Sequence, residues 1–134
     1  MRADAFSVLG GSMNFRLINT LAGIVGVPFG LGFLLMPEMA GEIYGVTGWN
    51  PGTVAVGRLY GVMFLFVTLI SFSVREFSDH AVQTKLARAF FVYCLLAGGM
   101  CAFAAISGAM NPLIWSGVAI YVFFAAAWGR LIRA

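Results

Sequence analysis

Charge is scarce in this chain: 10% of its 134 residues are charged, while 61% are hydrophobic. A soluble globular domain carries about 25% charged residues. So few charges cannot coat a water-facing surface, and hydrocarbon is the solvent that fits. Acidic groups are the scarcer sign, five against eight Lys and Arg, and none of the five falls inside a long apolar run. Proton-coupled transport commonly relies on an intramembrane carboxylate, so a small multidrug exporter is disfavoured. Histidine is nearly missing. His80 stands alone, and one imidazole cannot supply both axial ligands of a membrane haem. The two cysteines, Cys94 and Cys101, share a run at i, i+7. On a helix that separates them by roughly 10 Å along the axis, too far for a disulfide, and packing is their expected role. No metal-ligand spacing, Ser-His-Asp set or phosphate-cradling glycine loop is present. No catalysis by this chain alone is expected, and no cofactor. The +3 net charge is spread thinly beside apolar runs, which excludes a nucleic-acid surface.

What the chain does have is four apolar runs near the roughly 20 residues that a membrane span needs. They cover about 15–36, 52–74, 86–107 and 113–132. Lipid offers the backbone no hydrogen-bond partners, so the spans must be helical. The expected fold class is all-α, a four-helix transmembrane bundle forming one integral membrane domain over 1–134. Pro37 stops the first run, since proline cannot continue the hydrogen-bond ladder. Asn50-Pro51 and Asn111-Pro112 each place a capping side chain before proline at the first helical position. Ser78 or Asp79 can cap the third helix. Pro28, inside the first run, predicts a kink near Ile24. The first run is longer than a signal core of about 7–15 residues, and no small-x-small site follows it, so it reads as a retained helix. The 14 residues before it suit a short interfacial helix or a loose tail equally well.

The basic residues give an orientation. Arg2 and Arg16 precede the first span, Arg75, Lys85 and Arg88 flank the turn between the second and third, and Arg130 and Arg133 close the chain. The first loop, PEMAGEIYGVTGWN, carries two Glu and no Lys or Arg, and GAMNP carries no charge. The positive-inside rule therefore puts both termini in the cytoplasm. Trp49 and Trp115 then fall at the outer interface and Trp128 at the inner one, as interfacial aromatics should.

The one basic residue outside this pattern is Arg58, in VGRLYGVMFLF. It lies about seven residues into the second span, roughly 10 Å below the outer helix end. The simplest expectation is an ion pair with Glu42 or Glu38, the acidic residues of the first loop on the same side. The sharper one is an anion, lipid headgroup or partner carboxylate held by Arg58. Plain snorkelling is the third. Small residues at four-residue spacing mark faces where helices can approach closely: Gly26 and Gly30, Gly57 and Gly61, Gly98, and Gly129. Such faces outnumber what one small bundle must use, which favours contacts with other chains.

The stretches LGFLLMPEMAGEIYGVTG, VGRLYGVMFL and NPLIWSGVAIYVFFA, in this order, resemble small four-helix bacterial inner-membrane proteins of unknown function. The resemblance implies a four-span bundle and transfers no catalytic residue. Three functions follow as expectations. The first is a non-catalytic accessory or assembly subunit, whose partners are other membrane subunits, or itself, and lipids. The second is a small homo-oligomeric transporter or channel with Arg58 at an anion site. The third is a binder of a hydrophobic cofactor, a quinone or pigment, for which no residue pattern is specific.

Overall fold

A computed structural model describes residues 3–133, with side chains from residue 15 onward. The elements are α1 (Ala3–Leu35), α2 (Pro37–Ile43), α3 (Pro51–Val74), α4 (His80–Ile106) and α5 (Ile114–Arg133). Four of them, α1, α3, α4 and α5, are long and apolar enough to cross a membrane. The backbone before residue 15 is helical from Ala3 and continuous with the first span, and α1 runs on through Pro28.

The first loop is partly helical, which the apolar pattern did not foresee. Pro37 ends α1, but proline also suits a first helical turn, where its missing N–H has no partner to lose. It opens α2, with Glu38 in the first turn. The caps are local and complete. Asn50 Oδ1 accepts from the N–H groups of Gly52 (2.9 Å) and Thr53 (3.1 Å), while Thr53 Oγ1 accepts from the Asn50 N–H at 2.8 Å. This reciprocal pair is a capping box, satisfying donors that the helix start leaves free. Asp79 caps α4 by accepting from Ala81 (2.8 Å) and Val82 (3.2 Å). Hence α4 begins at His80 rather than near 86: its first turns are polar but already helical.

The long helices pack in the order α3–α1–α5–α4. α1 lies along α3, α4 along α5, and the two hairpins meet chiefly through α1 and α5, with α2 against α1 and α3. Although consecutive in the chain, α3 and α4 do not pack along one another. The α1–α3 contact is close because glycine allows it. A Cβ on Gly61 would collide with the backbone of Leu34, and one on Gly26 with the Thr68 hydroxyl. On Gly30 it would come within 2.6 Å of Leu65, and on Gly57 within 2.8 Å of Pro37. In the other hairpin Gly98 faces Tyr121 at 3.0 Å and Gly129 faces Phe91 at 3.4 Å.

Both ends of the bundle are fastened. At the end holding the α3–α4 turn, Trp128 stacks on Phe90 (4.9 Å between centroids) and meets Phe15 edge-on at 6.0 Å. Trp128 is only 1% exposed. It is a core residue joining α1, α4 and α5, not the interfacial anchor its position near a helix end suggested. Glu76 pairs with Arg16 (3.1 Å) and with Arg75 (3.3 Å) on the surface nearby. At the opposite end, the Asn111 backbone N–H donates to the Tyr44 carbonyl at 2.8 Å, and its side-chain amide donates to the Ile43 carbonyl at 2.9 Å. The α2–α3 and α4–α5 loops therefore share one end of the molecule, and the described Arg and Lys side chains other than Arg58 belong to the other.

Candidate functional site

Arg58 sits in the first half of α3 with its side chain exposed. Glu38 and Glu42 are exposed on α2. Pro37 touches the Gly57 position, so α2 is close to Arg58 along the chain. Even so, among the described residues the ion pairs are those of Glu76. The expected Arg58–Glu42 or Arg58–Glu38 bridge does not form. The reason is directional: Gly57 faces α2, and the next residue on a helix points about 100° away. Trp49 instead folds the loop back on α2: its ring packs on Gly41, its indole N–H donates to the Val46 carbonyl at 3.2 Å, and its ring edge also lies by the Gly57 position of α3.

A second polar constellation was not foreseen from the sequence. The chain has four tyrosines, and they come from four elements to one region under the Asn111 clasp. Tyr60 of α3 lies near Tyr121 of α5, Tyr93 of α4 and Tyr44 of the α2–α3 loop. Tyr93 and Tyr121 are edge-on at 6.0 Å, and Tyr60 is edge-on to Phe33 (5.1 Å) and Phe64 (4.8 Å). Tyr121 is buried, whereas Tyr60 is 44% exposed. Tyr44 lies outside the spans. Burial pushes its phenol above the usual value of 10.0, the Cys101 thiol adds to this, and the Ser116 hydroxyl opposes it.

The third polar set lies on the α1 and α3 spans. Asn19 and Ser71 are fully buried and Thr68 nearly so. Asn19 donates to the Phe15 carbonyl at 3.0 Å, but its Oδ1 has no protein partner, nor do Ser71 Oγ and Thr68 Oγ1. The signal for the tyrosines and these buried amides and hydroxyls was available as polar atoms inside apolar runs. Their convergence was not, because it depends on which helices are neighbours. Among the described residues, no cluster of His, Cys, Asp and Glu could hold a metal.

Four helices of this length and apolarity define a helical integral membrane protein. Neither a family model, nor a curated protein, nor a solved structure matches the chain.

Proposed function

We propose that the chain is a non-catalytic subunit of a bacterial inner membrane, with both termini cytoplasmic, that assembles with other membrane subunits through the outward face of α3. One observation carries this reading: Arg58 is exposed on a membrane span and bonds to neither nearby glutamate. A guanidinium at the bilayer centre costs about 2.5–3.5 kcal/mol on insertion scales, and less toward the interface. Snorkelling relieves part of that cost. A carboxylate or other anion presented by a neighbouring chain relieves more, through two charge-assisted hydrogen bonds. The exposed Glu38 and Glu42 offer that neighbour a complementary charge at the same rim. An anion path around Arg58 is the second reading. It requires several copies, since four helices are too few to enclose a wide aqueous route.

Native mass spectrometry after mild-detergent extraction tests the proposal. The wild-type chain is expected in a complex with other membrane proteins, and Arg58→Ala is expected to dissociate it while Arg58→Lys retains part of it. An unchanged assembly in Arg58→Ala overturns the reading. A homo-oligomer whose anion flux in vesicles disappears with Arg58→Ala replaces it with the channel.

A further inference from the structure

The end of the bundle that holds the α2–α3 and α4–α5 loops carries charge of both signs. From residue 36 to 58 and from 106 to 113 the charged residues are Glu38, Glu42 and Arg58. All three are exposed, and the ion pairs among the described residues belong to Glu76. Pro37 and Gly41 form the buried side of α2. Glu38 and Glu42 each follow one of these two, so they share a face turned about 100° from the buried one. Arg58 likewise follows Gly57, the α3 residue that meets Pro37. Both signs of charge are thus rotated off the α2–α3 contact and left outward. Below Arg58 the same side of α3 carries Val62, Phe66 and Leu69, all exposed, which continue the face into hydrocarbon.

The depths of the two signs match. Pro37 lies within 2.8 Å of where a Gly57 Cβ would be. Glu38 therefore starts at the level of Arg58, and Glu42 lies one turn on, about 6 Å away. The 24 residues of α3 make about 36 Å of helix against a hydrocarbon core of about 30 Å, which leaves the Arg58 backbone about 7 Å inside the core. Its side chain spans that depth to the rim. Copies of one chain inserted under the same charge bias point the same way. The axis relating them then runs along the membrane normal, and rotation about it keeps every residue at its own depth. In a second copy, Arg58 meets only groups of its own level, and the acidic ones there are Glu38 and Glu42. A two-fold axis, the commonest symmetry, makes the contact twice. A lipid phosphate would serve Arg58 as well, but it leaves both glutamates without a cation at the same rim.

We propose that Arg58 pairs with the Glu38–Glu42 face of a second copy of this chain, in a two-fold dimer closed by the outward sides of α2 and α3. This rests on the reading of Arg58 as an assembly contact and names the chain it meets. The test reconstitutes donor- and acceptor-labelled full chains in phosphatidylcholine vesicles and follows Förster transfer between copies as lipid dilutes the protein. The wild-type chain is expected to transfer as a dimer. Arg58→Glu alone, and Glu38→Lys with Glu42→Lys alone, are each expected to weaken association about tenfold or more, the scale of one lost charge-assisted hydrogen bond. Mixing the two variants is expected to restore transfer, because opposite charges then face one another at both contacts. A misfolded or inverted variant would not be rescued in this way. Absence of transfer in the wild type, unchanged transfer in Arg58→Glu, or no restoration on mixing overturns the proposal. The two readings fail separately: if Arg58→Ala dissociates the native complex while copies of the chain show no transfer, the dimer falls and the assembly role of Arg58 stands.

Discussion

At the scale of single residues, the sharpest constraint is steric. Gly61 meets the Leu34 backbone, which cannot swing aside as a side chain can. Gly61→Ala is therefore expected to cost about 1–3 kcal/mol, the usual range for overpacking. Gly99→Ala, on the same kind of apolar helix but with open space around it, is expected to be neutral or to stabilise by up to about 1 kcal/mol, since alanine restricts the unfolded chain more than glycine does. Reversible unfolding in detergent or bicelles reads both. Ser71 makes the opposite case. Its buried oxygen has no protein partner, unlike Ser73 and Thr84, which donate to the carbonyls four residues back at 2.7 and 2.9 Å. Removing an unsatisfied hydroxyl loses no hydrogen bond and relieves a desolvation cost of about 1–3 kcal/mol, so Ser71→Ala should be neutral or stabilising. A clear loss of stability would show that the hydroxyl has a partner. Tyr44 adds a pH dependence. Burial raises its folded pKa above 10.0, so the unfolded chain loses the phenolic proton first. Its contribution to stability is intact below pH 10 and declines as the pH rises through the folded value. Tyr44→Phe should flatten that alkaline decline, measurable as the pH dependence of the unfolding midpoint.

At the scale of elements, the helices were largely legible from the sequence, while their partners were not. Apolar length located the four long helices, because a lipid-facing helix shows its whole surface as hydrophobic. Caps such as Asn50 with Thr53 and Asp79 are local, so they too could be read from the chain. What failed was whatever depended on direction or neighbours. Pro37 reads as a stop and is also a start. Trp128 looks interfacial by position, yet lies between Phe15 and Phe90. Arg58 and Glu42 look like partners by side and depth, but α2 meets α3 through Gly57, one helical step off. Asn111 shows the same limit: the sequence reads it as the cap of a helix with Pro112 in its first position, but α5 starts only at Ile114, and the Asn111 side-chain carbonyl accepts from the Leu113 N–H at 3.0 Å in the turn before it. Its amide meanwhile reaches a carbonyl 68 positions away. Asn111→Ala removes that tie between loops and should cost about 0.5–1.5 kcal/mol. Hydrogen exchange should rise locally at Tyr44 and Gly45 while the α1–α3 core stays protected. Equal exchange in both proteins would mean that the clasp contributes no order to the loop.

At the scale of the whole molecule, the order α3–α1–α5–α4 places the α2–α3 and α4–α5 loops at one end and the described basic residues, Arg58 apart, at the other. Geometry fixes this sidedness without saying which compartment is which. The proposed direction rests on the charge bias, since Lys and Arg near span ends resist translocation. The orientation is testable in cells after Cys94 and Cys101 are replaced by alanine. In the proposed orientation, Thr47→Cys and Ala109→Cys are then expected to react with a membrane-impermeant maleimide added to intact cells. Ser78→Cys, in the turn between α3 and α4, should react only after permeabilisation. The Asn111 clasp makes the first two sites a linked pair: residues 47 and 109 cannot lie in different compartments while Asn111 holds the Ile43 and Tyr44 carbonyls. Opposite labelling of 47 and 109 would thus contradict the fold itself. Their joint exposure with residue 78 would contradict a membrane crossing, and reversal of all three would leave the bundle standing but move Arg58, and the chain it is proposed to meet, toward the cytoplasmic half of the bilayer.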